Sequence, residues 1–515
     1  MYNLSIALED NAQRIPNRLA IISEEKKITY KELNLLSNKV ANLILDLGIN
    51  PGDSIALQCP NISFFPIIYY GILKMGGVIV PMSILLKKKE ISFILSNSKA
   101  KLLFFYQGDQ TLNIVKEALA GVKESPEIIQ SILIENQEFK SFSNPLVKNL
   151  NSLLKDTSSE FEYIPTNAEE TAVVIYTSGT TGKPKGVKLT HSNLAWNSSI
   201  TVDLFDFKGD DIALTVLPLF HIFGQNCIMN AAVFAGISNV LLKRFDSNEV
   251  IQCIQKHSVT IFAGVPTMFW NLLNDLNTFK KGEISLLKNH WRIALSGGAA
   301  IPVELINKFE KTYGVPIFEG YGMSEGSPLV TYNQPAYKRK IGSVGLPIWG
   351  VQVKVINDKF IEVPSYVVGQ IIFKGHNVMK GYFNNEEETK KVIKNGWMHS
   401  GDLGYKDDQG YLFVVDRMND MIIRGGVNIY PREIEEVIIK HPKISLVAVV
   451  GIPDQRMGEE IMAYIILNKD QDMSKAELKS WVKAKVAANK YPRKIEFVKE
   501  LPMNATGKIL KRKLN

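Results

Sequence analysis

The 515-residue chain is too long for one hydrophobic core, so about two to four domains or subdomains are expected. Hydrophobic content of 45% and charged content of 22% are ordinary for a globular protein. Cys59, Cys227 and Cys253 lie too far apart for a disulfide framework or zinc spacing. The formal charge of +8 is concentrated at the end: from Arg417 onward there are 19 Lys and Arg against 12 Asp and Glu. Such a segment suits a small polyanion, an acidic carrier protein or anionic lipid. No basic-aromatic stripe or known module points to nucleic acid.

The opening Met-Tyr-Asn-Leu-Ser lacks a signal peptide's basic-then-apolar order, and a reducing cytoplasm is expected. Thr29 and Glu32 form a capping box ahead of a helix over Tyr30–Leu47, with Gly48 as its stop. The long apolar run Phe64–Met82 is interrupted by Lys74, Gly76, Gly77 and Pro81 and reads as helix, turn and strand, not a membrane span. Ser54–Gln58, Val78–Pro81 and Ala100–Phe105 read as strands between helices, which predicts an open α/β sheet. Ser125–Pro165 is polar and reads as irregular surface chain.

Next comes a strand pattern at Thr171–Tyr176 and a run of hydroxyls, glycines and lysines to Val187. Gly179, Gly182 and Gly186 permit tight turning, and Thr177, Ser178, Thr180, Thr181, Lys183 and Lys185 supply hydroxyls and charge. That is equipment for holding phosphate. It is not the common nucleotide loop, because only two residues separate Gly179 from Gly182 and Lys183 precedes Pro184. A flap between two strands is expected instead.

Further strands are predicted at Ala213–Leu217, Val240–Lys243, Ile261–Gly264, Arg292–Ser296 and Pro316–Glu319, with a buried helix over Gln225–Ala235 and another over Pro302–Tyr313. Several strand ends carry glycines and polar residues. In parallel sheets ligands gather at those ends, so one composite site is expected. From Gly342 the chain turns β-rich, with strands at Val351–Asn357, Gly369–Lys374 and Gly410–Val415. A compact unit follows, with helices at Arg432–Lys440 and behind Ser474 and Glu477. The predicted fold class is α/β. A large N-terminal domain of α/β subdomains plus a β-rich subdomain spans residues 1–417. A hinge at 418–420 joins it to a small, mobile α+β C-terminal domain at 421–515.

Six motifs occur in order: the loop Tyr176–Val187, Ser296–Pro302 (SGGAAIP), Tyr321–Glu325 (YGMSE), Ser400–Gly404 (SGDLG), Asp416–Arg417 ahead of Ile422–Pro431 (IIRGGVNIYP), and Asn504–Lys508 (NATGK). On these the chain resembles, nearly end to end, the adenylate-forming superfamily of acyl-CoA synthetases, firefly luciferases and peptide-synthetase adenylation domains. LPLFHIFGQ at 217–225 and KGHNVMKGYF at 374–383 look most like medium- or long-chain fatty acyl-CoA ligases.

The resemblance implies a two-step reaction using ATP, Mg²⁺ and coenzyme A. A carboxylate attacks the α-phosphate of ATP, releasing pyrophosphate, and a thiol then displaces AMP from the acyl-adenylate. It implies that Thr177, Ser178, Gly179, Thr180, Thr181 and Lys185 hold the β- and γ-phosphates, and that Glu325, with Thr177, holds the metal. Ser324 contacts the α-phosphate. Gly297, Gly298 and Ala299, with Glu319, Gly320 and Tyr321, enclose the adenine. Asp402 accepts from the ribose, Arg417 reaches ribose and phosphate, and Lys508 carries adenylation. His221 lines the acyl pocket as a gate, with Gly224, Gly298, Gly322 and Met323 near it as small residues around an alkyl slot; Gly322 also borders the nucleotide. Gly425 and Gly426 line the pantetheine channel after the C-terminal domain rotates about Asn419. Asn419, Gly326 and Gln370 depart from the family's usual residues, and Gly326 is expected to alter the pocket.

A fatty acid, ATP and CoA are thus the expected partners, in the cytoplasm, with no nucleic acid and at most peripheral membrane contact. Alternatives are a fatty acyl-adenylate ligase loading an acyl-carrier protein, an aryl or cinnamyl acid ligase, and an inactive nucleotide-binding homologue. The retained Lys508, Glu325, Asp402 and Arg417 argue against the last.

Overall fold

The computed structural model describes residues 2–109, 112–136, 144, 147–177, 184–278, 287, 290–504 and 507–514. Short apolar strands alternate with helices through the first two-thirds of the chain. Ser54–Gln58, Val78–Met82 and Leu102–Tyr106 are buried at every position, as strands inside a parallel sheet covered on both faces must be. They pair in parallel with one another, and Val78–Met82 pairs in parallel with Thr171–Thr177. Thr171–Thr177 then turns back as Lys185–Thr190, antiparallel, with Thr177 opposite Lys185. The expected arrangement of two strands flanking the flap is therefore present. The flap residues Ser178, Gly179, Thr180, Thr181, Gly182 and Lys183 lie outside the described residues.

The second large sheet has nine strands. At its centre Ile212–Thr215, Ile261–Gly264, Ile293–Ser296 and Ile317–Gly322 run parallel in that spatial order. Antiparallel strands close its two edges. Tyr30–Asp46 is helical with the Thr29/Glu32 capping box formed. Phe64–Lys74 is a buried helix followed by the strand Val78–Met82, as read from the broken apolar run.

Four stretches differ from expectation. Within Ser125–Pro165 the segment Gln130–Ile134 is a buried strand extending the first sheet, and Leu150 and Leu154 anchor a short helix. Three consecutive apolar residues there suffice to join a sheet whose next strand, Leu102–Tyr106, is already buried at every position. Phe223–Asn230 is a π-helix leading into the α-helix Ala231–Ala235, with Gln225, Asn226 and Asn230 buried. Each amide reaches a partner: Gln225 Nε2 donates to the Leu219 carbonyl at 2.9 Å, Asn226 Nδ2 donates to the Ser327 carbonyl at 2.9 Å, and Asn230 Oδ1 accepts from Tyr70 Oη at 3.0 Å. Buried amides tolerate the wider π-turn because each finds a partner outside the helix. The strand Ile317–Gly322 continues through the glycines expected to end it, because Tyr321 and Gly322 pair onward with Leu329–Tyr332. Trp397–Lys406 is a ten-residue strand containing the SGDLG motif. Its glycines hide the alternation from a sequence reading.

The β-rich part forms a sheet of Val351–Ile356, Gly369–Gly375, Trp397–Lys406 and Ile393–Lys394, with Leu412–Arg417 paired to Trp397–Lys406. The last sheet, built from Ile422–Arg424, Val427–Ile429, Ile444–Asp454, Gly458–Leu467 and Lys494–Phe497, packs against the helices Pro431–Ile438 and Lys475–Lys483. Its apolar cluster, including Ile422, Ile434, Ile461 and Leu478, is separate from the main core.

Candidate active site

The carboxyl ends of the central parallel strands open on one side and carry the predicted residues. Ile293–Ser296 delivers Gly297 and Gly298, Ile317–Gly322 delivers Glu319 to Gly322, and a 3₁₀ turn after it presents Ser324 and Glu325. The β-rich sheet contributes Asp402 and Arg417, which lie opposite each other on adjacent strands.

Tyr321 ties the two sheets together. Its hydroxyl donates to Asp402 Oδ2 at 2.6 Å. Asp402 Oδ1 also lies 3.3 Å from Arg417 Nε, and the Asp402 backbone N–H donates to Ser400 Oγ at 3.0 Å. The Asp402 carboxylate is buried while Arg417 is exposed. A buried acceptor beside an exposed guanidinium can take a sugar hydroxyl and a phosphate respectively.

Glu325 is buried, and burial raises its carboxyl above the ordinary range. Its Oε1 accepts from Tyr382 Oη at 2.8 Å. Lys185 Nζ sits 5.2 Å from the centre of the same Tyr382 ring and pairs with Glu388 at 2.5 Å. Tyr382 therefore bridges the metal candidate and the phosphate candidate, and neither it nor Glu388 was singled out from sequence. Tyr382 lies within the KGHNVMKGYF stretch at 374–383 and Glu388 in the acidic run after it, but no phosphate-loop spacing marks either. Among the described residues no group of three or more His, Cys, Asp or Glu side chains forms a metal cage. One buried carboxylate beside a phosphate site instead fits Mg²⁺, which takes one or two carboxylates and completes its shell with phosphate oxygens and water.

Lys508 arrives from the far end of the chain. The short hairpin that carries it is closed by Lys508 N–H donating to Asn504 Oδ1 at 2.9 Å and by Asn504 N–H donating to the Lys508 carbonyl at 2.9 Å. The hairpin touches the large domain where Thr267 Oγ1 donates to the Gly507 carbonyl at 3.1 Å. Burial, and secondarily Arg417, pushes the Lys508 ammonium down to about 8, while Asp402 and Asp420 oppose the shift. The His221 imidazole is pushed down to about 4 by burial first and then by the Lys508 ammonium. Phe223 N–H donates to His221 Nδ1 at 3.3 Å. His221 is thus neutral at pH 7, which suits a pocket wall rather than a base.

The small residues divide. Gly298 has φ +80° and is exposed, with only Val265 near its missing side chain, so it can admit a ligand. Ala299 is half-buried beside it. Gly297 lies against the Phe223 ring. At Gly322 and Gly224 the position of the missing side chain is already filled. A Cβ on Gly322 would sit 1.9 Å from the Pro328 carbonyl oxygen, and one on Gly224 2.8 Å from the Leu217 carbonyl oxygen. Close backbone approach, not ligand space, demands glycine there. Gly320 is covered by the Tyr332 ring in the same way, and the side of Gly326 faces Val330 and Phe373. Gly326 is therefore a packing position rather than one facing a pocket. Met323 packs against the main core. Gln370 Oε1 is 3.1 Å from His399 Nδ1.

Glu319 is buried. Its Oε1 accepts from Ile301 N–H at 3.1 Å, its Oε2 is unpaired, and burial pushes its carboxyl up to about 7. Gly425 and Gly426 sit between the strands Ile422–Arg424 and Val427–Ile429 of the last sheet. They form an exposed turn at φ +57° and +79°, where Gly425 N–H donates to the Met457 carbonyl at 2.8 Å. The charges of Asp402 and Arg417 thus act on Lys508, and that of Lys508 on His221, while the expected thiol-channel glycines form an exposed turn.

Comparison with known proteins follows the same lines. Residues 8–383 match the family model of the AMP-binding enzyme, and residues 433–508 match that of the AMP-binding enzyme C-terminal domain. A long-chain-fatty-acid–CoA ligase of Bacillus subtilis (strain 168) is 36% identical over 99% of this chain and 94% of its own length. A 2-succinylbenzoate–CoA ligase of Bacillus anthracis (strain A0248) is 32% identical over 98% and 97%. The crystal structure of the anthranilate CoA ligase AuaEII with anthranoyl-AMP superposes with a TM-score of 0.91 at 27% identity, covering 100% of this chain and 96% of that one.

Proposed function

The chain belongs to the AMP-binding enzyme family, and on that premise we propose that the acid it activates is a fatty acid and the thiol it loads is that of coenzyme A. It is an AMP-forming acid–thiol ligase using ATP, Mg²⁺ and CoA. The observation that carries the fatty-acid reading is the 36% identity, spread over 99% of the chain, to a long-chain-fatty-acid–CoA ligase.

The assigned roles rest on chemistry that these side chains can perform. Asp402 takes the ribose hydroxyls, and Tyr321 holds its carboxylate in place. Gly298 and Ala299 leave room for the adenine plane. Arg417 and Lys185 neutralise phosphate, together with the flap Thr177 to Thr181. Glu325, steadied by Tyr382 and accompanied by Thr177, would hold Mg²⁺, which would supply positive charge against the phosphates. The Lys508 ammonium feels the charges of Asp402 and Arg417 and itself acts on His221, which supports its standing where an incoming carboxylate meets the α-phosphate. Preorganised charge at that point stabilises the transition state with no reorganisation at the moment of reaction. In the second step CoA attacks the acyl carbon and AMP leaves with the bonding electrons. Gly425 and Gly426 then need to face the site, which calls for rotation of residues 421–515 about 418–420. The separate apolar cluster of that unit supports its moving as a body.

A second reading, an aryl acid as substrate, is favoured by the likeness to the anthranilate and 2-succinylbenzoate CoA ligases. An acyl-carrier protein as acceptor rests only on the basic charge beyond Arg417. A cytoplasmic setting is supported by three free cysteines. Among the described residues no helix is long and apolar enough to cross a membrane. The test is to supply fatty acids of graded chain length, benzoate and anthranilate with ATP and either CoA or an acyl-carrier protein. Fatty acyl-CoA as the main product upholds the proposal, and preferential use of an aromatic acid replaces it with the second reading.

A further inference from the structure

The side that faces the large domain from the helix Pro431–Ile438 carries two charged residues one turn apart, Arg432 and Glu436, 3.8 Å from each other. Arg432 makes two bonds to the strand Leu412–Arg417, which ends just before residues 418–420. Its backbone N–H donates to Asp416 Oδ2 at 3.1 Å, and its Nη1 donates to the Val414 carbonyl. That strand pairs along its length with Trp397–Lys406, and on its other edge Leu412 exchanges backbone bonds with Val344 and Gly345. The guanidinium satisfies the Val414 carbonyl. The Arg432 charge also acts on the buried Glu319, whose Oε2 is unpaired. Glu436 lies against the backbone N–H of Val303, the first residue of the helix Val303–Tyr313. Pro302 precedes that helix and offers no side-chain cap. An acidic side chain there satisfies an orphan N–H and complements the helix dipole.

All of these contacts join residues 431–436 to the large domain, on the loop and strand that also carry Gly297–Ala299, Glu319 and Arg417. A rotation about 418–420 that withdraws Lys508 breaks them together. We propose that Arg432, with Glu436, is a positioning residue that holds the small domain in the orientation presenting Lys508. It touches no substrate. Its effect is confined to the half-reaction that needs Lys508. The proposal rests on the adenylation chemistry proposed above for Lys508.

The test compares Arg432→Ala, Arg432→Lys and Glu436→Gln with the parent in two half-reactions: pyrophosphate release from acid and ATP, and acyl-CoA formation from supplied acyl-adenylate and CoA. Loss of a charged hydrogen-bond donor predicts that Arg432→Ala lowers the first by about tenfold to a hundredfold. The second should stay within twofold or rise. Arg432→Lys, which keeps the charge without the fork, should recover part of the loss, and Glu436→Gln should show a smaller loss of the same kind. Equal loss in both half-reactions, or no loss in the first, overturns the proposal. Hydrogen exchange without any substrate separates this from failure of the functional reading. Amides of Val303–Leu305 and of Leu412–Arg417 should exchange faster in Arg432→Ala at unchanged thermal stability. Unchanged protection there overturns the positioning role whatever acid the enzyme uses.

Discussion

Asp402→Asn removes one charge from the centre of the site and almost nothing else. The carboxylate is buried, bonded by Tyr321 Oη at 2.6 Å and 3.3 Å from Arg417 Nε. An amide of the same shape keeps the Tyr321 bond through its remaining carbonyl oxygen. It loses the charged acceptor proposed for the ribose hydroxyls, and such a charge-assisted bond is worth about 1.5–3 kcal/mol. At about 1.4 kcal/mol per factor of ten, ATP should bind roughly 10- to 150-fold more weakly. Titration calorimetry with ATP and Mg²⁺ reads that directly. A second effect has a definite sign. Asp402 holds the Lys508 proton on, while burial and Arg417 push it off, with the balance at about 8. The charged ammonium is the working form, so adenylation should fall as pH rises through that value in the free enzyme, read from kcat/KM. Removing the Asp402 charge should move this fall to lower pH. An ATP affinity within twofold of the parent, or a pH limb that stays put or moves upward, would refute the reasoning.

Lys508→Ala should slow acyl-adenylate formation about 10²–10³-fold and largely spare thioester formation from supplied acyl-adenylate; equal losses in the two assays would remove its assigned role. Glu325→Gln should raise the Mg²⁺ concentration needed for half-maximal pyrophosphate release, and an unchanged requirement would assign the metal elsewhere. Gly322→Ala forces a methyl to within 1.9 Å of the Pro328 carbonyl. Overpacking of that kind costs about 1–3 kcal/mol or more, so its Tm should fall measurably. A Tm equal to the parent's would show that the backbone yields there.

Much of the architecture is written locally. Fully apolar five-residue strands such as Leu102–Tyr106 announce a covered parallel sheet, and Thr29 with Glu32 marks a helix start that the structure keeps. The motif residues Asp402, Arg417 and Tyr321 do meet, although 81 residues separate Tyr321 from Asp402. What local pattern cannot supply is the reason a residue is small. Gly322 and Gly224 look like pocket lining in a sequence, yet carbonyls from Pro328 and Leu217 occupy the space a side chain would need. Nor can it supply pairings made only by tertiary approach. Tyr382 joins Glu325 to Lys185 across the sheet, and Glu388 holds Lys185 from a helix of its own. The strand Trp397–Lys406 is hidden in the sequence because its glycines interrupt the apolar alternation while backbone pairing on both sides sustains it.

The central claim is that a carboxylic acid is activated at the α-phosphate of ATP and passed to a thiol. Incubating the protein with a long-chain fatty acid, ATP, Mg²⁺ and CoA, and resolving nucleotide and acyl products together, tests it in one measurement. The account predicts acyl-CoA, AMP and pyrophosphate in equal amounts, all dependent on the acid. ADP and phosphate as the nucleotide products, or no acyl-CoA from any acid offered, would contradict it.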